Sequence, residues 1–155
     1  MANTYTQIYL HTIFAVEGRQ SLISKEHKAE IFKYMIGVVE NQKQKVIAIN
    51  GMPDHVHLLI GLSPDIALSA LMRDVKSGSS SMINDKRWVR GHFNWQRGFG
   101  AFSYSKSQVS RVAKYIQNQE QHHAGRSFRD EYLALLKRFD VEYDPAYLFT
   151  FIDDA

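Results

Sequence analysis

The sequence predicts an α+β fold. It reads as one antiparallel sheet with helices on one face, in the ferredoxin-like split βαβ order, plus extra C-terminal helices, as a single domain over residues 1–155. Three observations predict this. Short apolar runs suited to strands occur at Thr4 to Val16, Lys45 to Asn50, His55 to Leu62 and Trp95 to Ser105. Segments with apolar residues at helical spacing separate and follow them. The chain has 155 residues, 45% of them hydrophobic, enough for one domain with a real core.

Each element has a local cause. In Thr4 to Val16, Ile8, Leu10, Thr12 and Phe14 share one face, with Gln7, Tyr9 and His11 on the other. Ser24 can cap a helix running to about Asn41, with Ile31, Phe32, Met35, Ile36 and Val39 at helical spacing. Lys45 to Asn50 is the second strand, and Asn50-Gly51 is a strong hairpin-turn dipeptide before the His55 strand. Ser63-Pro64-Asp65 resembles a helix start, and Leu68, Leu71, Met72 and Val75 form its apolar stripe. Ser77 to Ser81 should weaken or end that helix, because serine competes for backbone hydrogen bonds and glycine costs helix about 1 kcal/mol relative to alanine. Gly98 and Gly100 suggest a bulge in the Trp95 to Ser105 strand. A long helix from Ser107 to His123, closed by Gly125, and a last helix from Phe128 to Arg138 complete the order. The aromatics of the tail, Val141 to Ala155, are suited to docking on the body of the domain.

Composition narrows the chemistry. The chain contains no cysteine, which excludes disulfides, zinc–thiolate sites and cysteine nucleophiles. No export pattern opens the chain, and no apolar run approaches the roughly 18 residues of a membrane span, so a cytoplasmic location is expected. Arg73 to Lys114 carries nine basic side chains against two acidic ones, Asp74 and Asp85. Trp88, Phe93, Trp95, Phe99, Phe102 and Tyr104 interleave with those charges, a pattern suited to nucleic acid as well as to an ordinary solvated surface.

The most informative stretch is Asp54-His55-Val56-His57-Leu58-Leu59-Ile60. On a strand, His55 and His57 point the same way, while Val56, Leu58 and Ile60 point into a core. Two imidazoles on one apolar strand are either hydrogen-bonded core histidines or a pair that shares a metal ion. On the helix from Ser107, Tyr115 falls at the edge of the stripe formed by Val109, Val112, Ala113 and Ile116, with Arg111 one turn before it and Gln119 one turn after. A divalent ion on two imidazoles and an amide oxygen keeps open positions for phosphate oxygens and water. A tyrosine oxygen beside it can attack phosphorus and form a covalent phosphotyrosine.

These residues resemble the single-tyrosine HUH transposases of small bacterial insertion sequences, the IS200-like type, together with their REP-associated relatives. The match rests on His55-Val56-His57, on Tyr115-Ile116-Gln117-Asn118-Gln119 followed by His122-His123, on Tyr5 to His11, on Trp95 to Ser103 and on Phe128 to Tyr132. It spans almost the whole chain. The resemblance implies cleavage and rejoining of single-stranded DNA at hairpin-bearing ends through a 5′-phosphotyrosine on Tyr115. It implies Mg²⁺ or Mn²⁺ held by His55, His57 and Gln119, and a homodimer in which the tyrosine helix of one subunit completes the other's site. Lys76, Arg87, Arg111 and Lys114 are the candidates for DNA phosphate contacts. His122 and His123 read first as helix-terminal or packing residues and second as support for the metal. His11 reads as a sheet histidine. Asp54 either orients a ligand histidine or shapes the turn after Pro53.

Two further readings stay open: a domesticated nickase of repetitive hairpins, and a non-catalytic single-strand DNA-binding protein. A histidine-triad hydrolase is disfavoured, because Leu59 stands where its third histidine would be.

Overall fold

The computed structural model describes residues 3–152. Four antiparallel strands form one sheet in the order β2-β3-β1-β4, with β1 Tyr9–Ala15, β2 Lys45–Met52, β3 His55–Gly61 and β4 Gly100–Tyr104. This is the strand order of the expected split βαβ arrangement. Helices α1 (Lys25–Asn41) and α2 (Leu68–Lys86) cover one face. There Phe14 and Val16 of the first strand region and Val56, Leu58 and Ile60 of β3 pack against Ile31, Met35, Val39, Leu71, Met72 and Val75.

The extra C-terminal helices occupy the opposite face. They are α3 (Val109–Gln117), the short α4 (Gln119–His122) and α5 (Phe128–Arg138). Val109, Val112 and Ile116 of α3 pack on Ala48 and Leu59. Phe128, Tyr132, Leu135 and Leu136 of α5 pack on Ile13, Ala15 and Phe102. The tail docks on this second core through Phe149 and Phe151. Its backbone at Thr150 is clamped by the Gln96 side chain, which accepts from Thr150 N at 2.8 Å and donates to Thr150 O at 2.7 Å. Residues 153–155 of the tail lie outside the described residues.

Strand β1 begins at Tyr9 rather than Thr4, and α2 begins at Leu68 after an N-cap at Ala67 rather than at Ser63-Pro64-Asp65. Four further boundaries differ from the sequence reading, each for a physical reason. The hairpin turns at Pro53-Asp54, not at Asn50-Gly51, because β2 stays paired with β3 as far as Met52 opposite His55. Helix α2 runs straight through Ser77 to Ser81. Its serine at 79 is satisfied from both sides: Ser79 Oγ donates to Val75 O at 2.7 Å within the helix and accepts from the Trp95 indole N–H outside it at 3.0 Å. The fourth strand is confined to Gly100–Tyr104, because Gly98 takes a positive φ of 80° and leaves Trp95 in an isolated bridge with Val16. The long tyrosine helix breaks at Asn118, where the Asn50 amide donates to the carbonyls of Ile116 and Gln117, both at 3.0 Å. Asn50 therefore pins the tyrosine helix to β2.

Candidate metal centre and tyrosine

On the helix-bearing C-terminal side of the sheet, β3 presents His55 and His57 from a common face, both fully buried. Helix α4 brings Gln119 and, just past its end, His123. Helix α5 brings Glu131. The ligand atoms of His55, His57, His123 and Glu131 all lie within 4.8 Å of one another. Glu131 Oε1 is 3.0 Å from His57 Nε2, 3.1 Å from His123 Nε2 and 3.4 Å from His55 Nε2. Gln119 Nε2 donates to Glu131 Oε2 at 3.2 Å, which turns its Oε1 toward His55 Nε2 at 3.3 Å and His123 Nε2 at 3.0 Å. The Tyr115 hydroxyl donates to Glu131 Oε2. A single chain thus brings tyrosine, histidines, glutamine and carboxylate together.

The outer nitrogens of the three imidazoles are also tied. His55 Nδ1 meets the Asp54 carboxylate at 2.7 Å, His57 Nδ1 meets His11 Nε2 at 2.7 Å, and His123 Nδ1 meets the Arg126 carbonyl at 2.7 Å. Oxygen acceptors outside His55 and His123 require a proton on Nδ1, so a ring carrying no second proton aims its Nε2 lone pair inward. Those lone pairs face Gln119 Oε1 and Glu131 Oε1, which are also acceptors. Lone pairs pressed together at 3.0–3.4 Å need a proton or a cation between them. Donors around an octahedral ion at about 2.1 Å sit about 3 Å apart along each edge, close to the spacing here. The donor set therefore fits a divalent cation.

The titration behaviour follows from the same contacts. Burial alone would raise the Glu131 carboxyl, but hydrogen bonds from His123, His55 and His57 outweigh it and hold it well below the usual carboxylate range. Burial opposes charge on His55, yet Asp54 and Glu131 together raise it. Burial wins at His57, which is lowered. Burial, then the Tyr115–Glu131 hydrogen bond, push the Tyr115 phenol far above the usual tyrosine range. His11 is fully buried and stacked on His57 at 4.9 Å, and its Nδ1 has no hydrogen-bond partner among the described residues. Burial and the neighbouring His57 hold it well below its ordinary value.

A pH dependence is expected from these shifts. As pH falls below about 6.5, unfolded His11 and His57 bind protons that the folded metal-free chain excludes, so stability is lost toward acid. His55, raised in the fold, works in the opposite sense, but only above about pH 6.5, since below it both the folded and the unfolded chain hold that proton. With His11 and His57 both lowered, the metal-free protein should lose up to about 2.7 kcal/mol per pH unit below pH 6.5, read as a falling Tm in chelator between pH 6.5 and 5. A Tm constant over that range would contradict the assignment.

Of the sequence-selected residues, His55, His57, Tyr115 and Gln119 meet in the cluster, and Arg111 lines the space beside Tyr115. Lys76 and Arg87 do not join them. Lys76 Nζ donates to the carbonyls of Gln96 and Gly98 at 2.7 and 2.8 Å, holding the loop before β4. Arg87 is the left-handed cap that ends α2. Lys114 is an exposed residue of α3. Glu131 escaped the sequence reading, although a signal existed. It occupies an apolar position of the Phe128, Glu131, Tyr132, Leu135 stripe, and a carboxylate at a core position demands partners.

The family model described as transposase, IS200 like, matches residues 4–119. The ISDra2 transposase TnpA of Deinococcus radiodurans is 24% identical over 120 residues, covering 73% of this chain and 84% of that protein. The transposase for insertion sequence element IS200 of Salmonella typhimurium is 23% identical over 124 residues, covering 77% and 81%. A REP-associated tyrosine transposase solved bound to a REP hairpin superposes with a TM-score of 0.60 at 16% identity, covering 78% of this chain and 72% of that one. His123 and Glu131 lie beyond the matched segment. Among the described residues no helix is long and apolar enough to cross a membrane. With a family model covering most of its length, the chain belongs to the IS200-like transposase family.

Proposed function

We propose that this protein cuts and rejoins single-stranded DNA at hairpin-bearing insertion-sequence ends, using Tyr115 as nucleophile beside a divalent cation held by His55, His57, Gln119, Glu131 and His123. The observation that carries the reading is the hydrogen bond that ties the Tyr115 hydroxyl to the carboxylate shared by the three histidines. The relative captured with a REP hairpin supports hairpin DNA as the substrate class.

In the cleavage step the Tyr115 oxygen bonds to phosphorus as the P–O3′ bond breaks. The phenol gives up one proton and the departing 3′-oxygen gains one, so the proton count is unchanged. The strand on the 3′ side stays bonded as a 5′-phosphotyrosine, and a 3′-hydroxyl can reverse the step to rejoin DNA. When bound by these side chains, Mg²⁺ or Mn²⁺ would polarise the phosphate oxygens and stabilise charge building on them. Asp54, His11 and the Arg126 carbonyl orient the histidines, and Gln119 orients Glu131. We further infer that the tyrosine serves the cluster of its own chain, since Asn50 and the buried Ile116 anchor α3 to its own sheet.

The test incubates 3′-labelled hairpin oligonucleotides from the gene's flanks with protein and Mg²⁺, Mn²⁺ or chelator, followed by a denaturing gel. A metal-dependent covalent band is expected, absent in Tyr115→Phe and not restored by mixing Tyr115→Phe with His57→Ala. A band that persists in Tyr115→Phe removes the nucleophile assignment. A band restored by mixing assigns the tyrosine to the other subunit's site, as in the shared homodimer. Tight hairpin binding with no adduct on any flank favours the binding-protein reading.

A further inference from the structure

Tyr115 also forms one wall of a pocket that the hydrogen-bonded cluster leaves open. The pocket lies between the end of β4 and helices α3 and α5 and has a volume of about 290 Å³. Its lining includes the apolar side chains of Val112 and Leu135 and the ring of Tyr104, which also packs on Phe139 at the end of α5. Arg111, Arg126 and Arg138 stand around it, all exposed. Among the described residues no carboxylate lies within ion-pair distance of any of the three. The one acid on its wall, Glu131, is committed through both oxygens to His57, His123, Gln119 and Tyr115. Arg126 is close enough to act electrostatically on Tyr115, and Arg138 on Tyr104.

An apolar slot that includes an aromatic ring, is rimmed by three guanidinium groups without a carboxylate partner and is lined by Tyr115 matches a particular ligand chemistry. The slot takes a flat base that stacks on a ring, and the arginines take the anionic phosphates on either side of its sugar. A simple anion would have no use for the apolar floor, and an apolar ligand none for the arginines.

We propose that this pocket seats the nucleotide next to the phosphate that Tyr115 attacks, its base against Tyr104 and its phosphates on Arg111, Arg126 and Arg138. The proposal rests on the strand-cleavage reading above and adds the contacts that would hold the DNA on the tyrosine side of the reacting phosphate.

The experiment measures binding of thymidine 3′,5′-bisphosphate to the protein in chelator, by calorimetry and by chemical-shift changes in methyl and aromatic spectra. Thymidine and inorganic phosphate are the controls. The bisphosphate should bind at least about tenfold tighter than either control, with shifts at Tyr104, Val112 and Leu135. Arg126→Ala/Arg138→Ala should weaken it about tenfold or more, and Ala134→Trp, placed on an exposed lining position, should block it while the arginines remain. Comparing thymidine 5′-monophosphate with the 3′-monophosphate then tells which side of the reacting phosphate is seated. Equal affinity for phosphate and bisphosphate would overturn the nucleotide assignment. So would affinity unchanged in Arg126→Ala/Arg138→Ala, or shifts confined to other surfaces. No cleavage is involved, so this result is independent of the adduct test. An adduct that forms normally in Arg126→Ala/Arg138→Ala would sink the pocket and leave the cleavage reading standing.

Discussion

Glu131→Ala is expected to weaken Mn²⁺ binding by about a hundredfold, the upper end of what loss of an orienting residue alone costs a metal site. The carboxylate is almost fully buried and touches every other member of the cluster. Among the described residues it is the one full negative charge directed at the inner face, since Asp54 engages the outer nitrogen of His55. Removing it leaves nitrogen and amide donors alone, and the affinity of a divalent ion falls with the charge of its ligand set. The loss also reaches the metal-free protein. Taking one partner from a buried charged network costs about 3–5 kcal/mol, because the groups left behind stay buried without their counter-charge. Glu131→Gln separates the two effects. It keeps the volume and an acceptor for the Tyr115 hydroxyl, so it should fold better than the alanine variant while still losing most of the metal affinity. Calorimetry and Mn²⁺ electron paramagnetic resonance on chelator-stripped protein read the affinity, and near-ultraviolet dichroism reads the fold. The imidazole content further predicts tighter binding of Mn²⁺ than of Mg²⁺, since nitrogen donors favour transition ions. Unchanged Mn²⁺ affinity in a folded Glu131→Ala protein would remove the carboxylate from the metal site.

The parts of this site that were legible in the sequence are the ones governed by local periodicity. Period two put His55 and His57 on one side of β3 and Val56, Leu58 and Ile60 in the opposite core, as found. The spacing of Tyr115 and Gln119 put both near one line of the helix, and both reach the same carboxylate. What was not legible depends on contacts distant in the chain. Glu131 meets His57 across 74 residues, and neither period contains that information. Asn50 read as a turn residue because Asn-Gly favours tight hairpins. It became a helix anchor because the strand pairing ran on and left its amide facing the end of α3. The serine run read as a helix breaker, since isolated serine competes with the helix. It sits inside α2 because Ser79 found a partner in Trp95, which lies on another element. In each case tertiary hydrogen bonding overrode a sound local preference.

Gly51→Ala is expected to destabilise the protein by about 3 kcal/mol and to loosen the metal site at the same time, the upper end of the usual cost of overpacking. Gly51 is buried on β2, paired opposite Val56 of β3. A methyl group there would lie 2.2 Å from the His55 carbonyl oxygen and 3.0 Å from Val56 Cα. Both obstacles are backbone, so no side chain can swing aside, and the strands must part where His55 is held. The disturbance has two routes into the site. It tilts His55 itself, and it moves the adjacent Asn50, whose amide fixes the end of the tyrosine helix. A loss of 3 kcal/mol corresponds to a fall in Tm of about 10 °C for a domain of this size. Mn²⁺ affinity of the folded fraction should drop as well, measured well below the new Tm. Gly37→Ala is the matched control. That glycine sits within α1 with nothing within 4 Å of the added carbon, so the change should stabilise by up to about 1 kcal/mol and leave metal binding alone. If Gly51→Ala matched Gly37→Ala in Tm and in Mn²⁺ affinity, the close approach of β2 to β3 could not be what holds His55 in place.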